Sequence, residues 1–432
     1  MNSLFHSFTN VFSMMSGAFS SVLDVWFILF PPLLFFLFKI FWIYYVQGQY
    51  ASSIKWVLLE IFPPRDSEKS PLLMESIYAG FAGIHSTPSA AEEWIKGVYV
   101  PAFSLEIVST EGQVHFYVRS PKNFQDLVEA HFYAQYPGVE ISEVEDYIYQ
   151  VPHTIPNNEW DLWGTDFLLA ADDLYPIKTY KYFEETVTGK MIDPLAGLIE
   201  AMSKIGPGQH LWLQYIVSPL HANVMKDLQK TIDKFLGKSE EKHSSLIGDL
   251  FSGIKDIVAN ITRGLMGGEF IFSSGEGKES KDESPVEFRL TPGEKDKLKA
   301  IEANIGKQMF RTRMRHVYIG RRDVFDKSTG VSAFIGALKQ FNDHNLNSFK
   351  PDDNTKTYSN YIFKDERLRY RQRRLFRRYI GRDSDPQSTR FMLSTEELAT
   401  VFHIPDMSIT SPSLTRVASK RGGAPSNLPI QM

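Results

Sequence analysis

From Val25 to Val46 the chain is apolar and aromatic, broken only by Pro31-Pro32 and Lys39. At about 1.5 Å of helix rise per residue, such a run reaches across a hydrocarbon layer roughly 30 Å thick. The run therefore predicts a transmembrane helix over residues 25–46. A signal peptide fits poorly, because no Lys or Arg precedes the run, the apolar stretch is too long, and Gln47-Gly48-Gln49 is a poor cleavage site. A buried helix of a soluble protein would be shorter and less aromatic. Trp26 and Trp42-Ile43-Tyr44-Tyr45 fall near the two ends, where aromatic rings favour the membrane interface. Asp24 is the one charged residue ahead of the run, whereas Lys39, Lys55 and Arg65 lie toward or beyond its far end. Positive charge stays inside, so the N-terminus is expected outside and the bulk of the chain in the cytoplasm.

The flanks have their own pattern. Leu4, Phe8, Val11, Met15, Phe19 and Val22 recur at helical spacing and predict an amphipathic segment over 1–24. Ser52 to Ile61, with Trp56 among aliphatics, reads as an interfacial stretch within a helical juxtamembrane segment over 47–100. The 432 residues suffice for two or three domains. No cysteine is present, which excludes disulfides, thiol catalysis and Cys-based zinc or iron–sulfur sites. The eleven histidines show no paired-ligand spacing, so no metal and no cofactor is expected.

Beyond residue 100 the periodicity changes. Phe103, Leu105 and Ile107 alternate with polar residues, Glu111-Gly112 turns the chain, and Val114, Phe116 and Val118 alternate again, which predicts a hairpin. Ser120-Pro121 then opens a helix carrying Phe124, Leu127, Val128 and Ala134, and Pro137-Gly138 ends it before a strand over 139–144. A looser unit has extended segments at 167–169 and 175–180, a helix opened by Asp193-Pro194 and running to Met202, and a strand over 211–217. A third opens with a capping box, Thr291 to Glu294, and continues through a strand over 310–319 into a helix through Phe334, Leu338 and Phe341. Split β-α-β units of this kind predict an α+β fold with ferredoxin-like modules over 101–220 and 290–350, and a C-terminal helical segment over 351–432. The insertion 221–289 holds two charged, polar stretches, 237–244 and 273–287, that predict mobile loops around an amphipathic helix from Leu246 to Leu265.

Several segments resemble, in order, the membrane-proximal, non-motor half of bacterial proteins related to type IV secretion and conjugation ATPases. They are Trp56 to Ile61 with Pro64-Arg65, Met74-Glu75, Phe103 to Val108, Val118 to Pro121, Tyr133 to Pro137, Tyr175 to Tyr180, Gln214 to Pro219, Leu290 to Lys295 and Leu393 to Ala399. Ala424 to Pro429 reads like the lead-in to a motor domain. No Walker A is present: Gly237-Lys238-Ser239 has Ile232 where the first glycine belongs, and Gly277-Lys278 is followed by Glu279. The resemblance implies a non-catalytic, single-pass subunit of a DNA or protein translocation machine in the bacterial inner membrane. It would work in an oligomeric assembly beside a separately encoded P-loop ATPase. The alternative is a membrane-tethered adaptor for nucleic acid or lipid, unconnected with secretion.

Two basic features are candidate working surfaces. From Lys364 to Arg382 nine basic residues stand against Asp365 and Glu366. Leu368, Leu375, Phe376 and Tyr379 give this helix one apolar stripe, and Arg369, Arg373, Arg374, Arg377 and Arg378 are expected to face a polyanion, whether DNA, lipid or acidic protein. Arg311, Arg313 and Arg315 alternate along a strand and share one face, so they extend the basic track or stand in a salt-bridge ladder. For docking a partner the candidates are Ser394, Glu397, Leu398, Phe402, His403 and Pro405, around a second capping box from Ser394 to Glu397. His403 at a helix end reads as satisfying a carbonyl rather than as catalytic, and Asp172-Asp173 as structural, since adjacent side chains point apart.

Overall fold

A computed structural model describes residues 26–64, 70–83, 88–183, 192–220, 291–360, 362–382, 390–406, 414 and 416. The expected amphipathic segment 1–24, the loops 237–244 and 273–287 and the helix between them lie outside the described residues. The described chain forms two compact units, one of residues up to Lys55 with Thr87–Val100, the other of Trp56–Ser86 and the chain from Pro101.

The first unit is built on α1, Trp26–Ser53, with Pro31 and Pro32 inside it. Among the described residues it is the one helix long and apolar enough to cross a membrane. Phe30, Phe35, Phe36, Phe38 and Phe41 stand exposed along it, as a lipid-facing helix requires. A wide turn, Glu92–Lys96, packs along its C-terminal half. Gly97 closes that turn at φ 65° and sits so tightly on the helix that a Cβ would lie 2.3 Å from the Val46 carbonyl carbon.

The second unit is a mixed α/β body on one antiparallel sheet. Its strands are β1, Trp56–Phe62; β2, Phe103–Thr110; β3, Gln113–Pro121; β4, Glu140–Glu143; β5, Trp160–Leu169; β6, Gln209–Pro219; β7, Met309–Arg321; β8, Phe349–Pro351; and β9, Phe391–Ser394. They lie in the order β4-β1-β3-β2-β6-β7-β5-β8, with β9 beside β7. The expected interfacial stretch at Ser52 to Ile61 is instead the end of α1 and most of β1, which pairs with both β3 and β4. Its pattern of five consecutive buried residues belongs to a strand covered on both faces.

Helices α2, Leu72–Gly83, and α3, Gln125–Gln135, belong to the half of the sheet formed by β1 to β4. Helices α4, Ala196–Ser203, and α6, Ala333–Leu338, belong to the half formed by β5 to β8, and α5, Pro292–Ile305, precedes β7. The first half runs strand, helix, strand, strand, helix, strand; the second follows the same order with α5 added between β6 and β7, and the two halves join where β2 pairs with β6 from Phe103↔Val217 to Thr110↔His210. The looser and the third unit of the sequence thus belong to one half, separated by the insertion.

Alternation along the strands decides what each face holds. Leu59, Ile61, Leu105, Ile107, Phe116, Val118, Leu213, Tyr215, Phe310 and Tyr318 meet Tyr78 and Phe81 of α2, Phe132 of α3, Leu198 and Met202 of α4 and Phe334 of α6 in one continuous core. The opposite face carries α7, Lys364–Ile380, whose Leu375, Phe376 and Tyr379 pack with Leu162, Trp212, Val317 and Ile319. The short helix α8, Thr395–Val401, follows β9 and packs against α2.

Candidate nucleic-acid interface

On the α7 face of the sheet the strand register aligns a row of polar side chains: Glu60, Tyr117, Glu106, Gln214, Arg315 and Asp166 are successive cross-strand partners. Glu106, Gln214, Arg315 and Asp166 are fully buried. Buried charge persists where an opposite charge compensates it, and two ion pairs do so here, although Arg315 Nη1 and Nη2 and Asp166 Oδ2 have no hydrogen-bond partner among the described residues. Arg315 Nε donates to Asp166 Oδ1 at 2.6 Å. Arg382, two residues beyond α7 and held at φ 45°, reaches into the row with Nε 2.8 Å from Glu106 Oε1 and Nη2 3.0 Å from Oε2. The same guanidinium holds Asp146, with Nη1 2.6 Å from Oδ2 and Nη2 3.0 Å from Oδ1.

Glu106 also accepts from Ser104 Oγ at 2.5 Å, Gln214 Nε2 at 3.1 Å and the Tyr147 hydroxyl at 2.8 Å, and Tyr379 OH lies 2.8 Å from Tyr147 OH. Burial works to raise the Glu106 carboxyl, but the charge and hydrogen bonds of Arg382, with those of Ser104 and Tyr147, hold it down at about 2. The C-terminal end of α7 is therefore fixed to the sheet by a charged plug, and its N-terminal part by Arg371, whose Nη1 donates to the carbonyls of Lys356 at 3.1 Å and Tyr358 at 2.8 Å. Gln372 adds a bond from Nε2 to the Leu162 carbonyl at 2.6 Å.

With one stripe so anchored, the remaining faces of α7 carry cations. Arg369, Arg373, Arg374 and Arg377 are exposed and make no hydrogen bond or ion pair among the described residues. Arg369, Arg373 and Arg377 fall one turn apart, in a line spaced by about 6 Å of helix rise. Arg378 is half-buried and engaged, so it belongs to the anchored side. Tyr370 stands 66 % exposed among these arginines, a feature the sequence did not single out because an aromatic on an amphipathic helix reads first as core.

The strand arginines behave differently. Arg313 and Arg315 are buried under the α7 face, so the surface track expected along β7 is not formed. Arg311 remains half-exposed, and burial together with the charge of Arg390 brings its guanidinium down to about 10. Arg119 shares this face, lies 4.1 Å over the Trp56 ring, and is brought down to about 10 by burial and by the charge of Arg382.

The expected docking residues are interior. Ser394, Glu397, Leu398, Phe402, His403 and Pro405 are all buried, so they offer no surface to a partner. The capping box forms as the spacing required, with Ser394 Oγ accepting from Glu397 N at 3.3 Å and Glu397 Oε2 from Ser394 N at 2.8 Å, but Glu397 Oε1 is turned inward to accept Ile177 N at 3.0 Å. Replacing Ser394 with Ala is expected to cost about 1 kcal/mol in a urea titration, the usual loss of an N-cap; an unchanged midpoint would contradict this role. His403 Nδ1 is 2.8 Å from the Ala399 carbonyl, as expected, and Nε2 is 3.0 Å from Asp193 Oδ1, a partner distant in sequence. Asp173 Oδ2 accepts the Met392 N–H at 3.0 Å, a structural bond. Among the described residues no group of three or more His, Asp or Glu is placed to hold a metal ion.

A family model described as a domain of unknown function (DUF8128) matches residues 49–416. No curated protein matches the chain.

Proposed function

Since the chain belongs to the DUF8128 family, we propose that it is a non-catalytic, membrane-anchored subunit whose helix α7 holds nucleic acid. The observation that carries this reading is the line of exposed, unengaged arginines on a helix whose opposite stripe is bolted to the sheet. Arginine forks suit phosphate, and a rigid helix presents them without the entropy cost of ordering a loop. Tyr370 among them supplies a ring on which a base can stack. α1 supplies the anchor, and the distribution of Lys and Arg around it favours an N-terminus outside and the sheet unit in the cytoplasm of a bacterial inner membrane.

The ordered resemblance to the non-motor half of secretion and conjugation ATPase relatives supports placing this nucleic acid in a translocation machine. A separately encoded P-loop ATPase would supply hydrolysis, and it would approach a surface other than the buried residues around Ser394. Two ferredoxin-like modules side by side fit this scheme. In favour of them, β4-β1-β3-β2 and β8-β5-β7-β6 have the same internal order, each with a helix after its first and its third strand and the second with α5 in addition.

The test is the salt dependence of DNA binding by the full-length protein in detergent. With Arg369, Arg373, Arg374 and Arg377 replaced by Ala, log K against log salt is expected to flatten by about 0.7 to 0.9 for each phosphate that the helix no longer neutralises. Binding with unchanged affinity and slope would refute the proposal.

A further inference from the structure

The anchor unit holds a second element with a chemistry of its own. The turn Glu92–Lys96 is clamped to α1 over the stretch from Lys39 to Tyr50. Trp42 Nε1 donates to the Trp94 carbonyl at 2.8 Å, Lys39 Nζ lies 5.9 Å from the centre of the Trp94 ring, and Tyr50 meets Tyr99 edge to face at 5.4 Å. Gly97 at φ 65° lets the turn close against Val46, which is thereby buried. Ser89 and Glu92 cap the turn, with Glu92 Oε2 accepting the Ser89 N–H at 2.9 Å and hydroxyl at 2.8 Å.

What the clamp leaves outside is apolar. Ile95 is 72 % exposed at the tip, next to Lys96, while Phe41, Tyr44 and Tyr45 are exposed on α1 at the same level. A single π-helical turn carrying Glu92, Glu93 and Lys96 cannot sit in hydrocarbon, where its charged side chains and the backbone groups left open at its ends cost several kcal/mol. An exposed isoleucine flanked by tryptophan and lysine, beside exposed Phe41, Tyr44 and Tyr45, fits the headgroup layer, where rings and snorkelling lysines concentrate. Lys39 joins this group, its ammonium held over the Trp94 ring.

We propose that the Ala90–Gly97 turn is a second membrane contact, a latch in the phospholipid headgroup layer that places the hydrocarbon boundary at the level of Lys39 to Trp42. The proposal rests on α1 spanning the bilayer. Residues 26–42 then cross the hydrocarbon, roughly 26 Å of helix at 1.5 Å per residue. The C-terminal end of α1, to Ser53, stands clear of it as a rigid stalk.

The absence of cysteine makes the test direct. Full-length single-cysteine variants Phe35→Cys, Ile95→Cys and Ser52→Cys are spin-labelled in liposomes of phosphatidylethanolamine and phosphatidylglycerol, and collision with oxygen is compared with collision with a water-soluble nickel complex. Phe35→Cys is expected to favour oxygen, Ser52→Cys nickel, and Ile95→Cys to lie between them at headgroup depth. Ile95→Cys as open to nickel as Ser52→Cys would overturn the latch, and so would shielding from both reagents, which marks a protein neighbour. Phe35→Cys open to nickel would instead remove the spanning reading on which the latch depends.

Discussion

Replacing Arg382 with Met is expected to destabilise the sheet unit by about 4 kcal/mol, read as a fall in the urea midpoint. The value follows from what the substitution strands: the Glu106 carboxylate is fully buried and Asp146 mostly so, and each would lose a bidentate partner. Arg382 itself is buried at a left-handed φ, so no solvent takes its place. A double variant, Glu106→Gln with Arg382→Met, is expected to recover part of the loss, because the uncompensated charge goes with the arginine; strict additivity of the two single changes would disprove the coupling. The pH dependence has a definite sign. Glu106 is held at about 2, below its ordinary 4.5, so the stability it contributes is fully present above pH 4.5 and is lost as pH falls toward 2. Because Arg382 and Tyr379 fix the end of α7, the same variant is also expected to weaken the DNA binding proposed for that helix.

The second large effect lies on the other face of the sheet, where Leu195, Phe402 and Ile404 join the helix-covered core. Replacing Asp193 with Ala is expected to cost about 3 kcal/mol, because His403, 1 % exposed, would keep its bond to the Ala399 carbonyl but lose the acceptor on Nε2. Both ring nitrogens of His403 thus face oxygen atoms, the Ala399 carbonyl and the Asp193 carboxylate. Burial opposes the charge on Asp193, but the His403 cation and the N–H groups of Asp406 and Leu195 bring its carboxyl below the ordinary value. Stability from Asp193 is thus present above the ordinary carboxylate range and is lost as pH falls through the lowered one. His403→Ala is expected to lose a comparable amount, and a variant with an unmoved midpoint would show the pair to be energetically idle.

These two sites show where sequence stops being legible. The β2–β3 hairpin, the following helix and both capping boxes could be read because their signals lie within a few residues of one another. β1 could not, since its apolar run adjoins α1 and its identity as a strand depends on β3 and β4, some 60 to 80 residues away. The alternation of Arg311, Arg313 and Arg315 correctly placed them on one face, but alternation does not say whether that face is covered, and α7 covers it. The apolar stripe of α7 was legible as a stripe, and hence its exposed arginines, whereas the inward role of Arg382 depends on Glu106 on a distant strand. His403 was read as a carbonyl partner because Ala399 is four residues away; Asp193 is 210 residues away.

The strands at the rims of the sheet are β4, with four residues, and β8 and β9, with three and four. Long free strands invite other chains to pair with them, and short ones give such pairing too few hydrogen bonds to persist. Copies of this protein brought close together therefore gain little by merging their sheets edge to edge. Neighbouring copies would stay separate bodies, each keeping its own sheet.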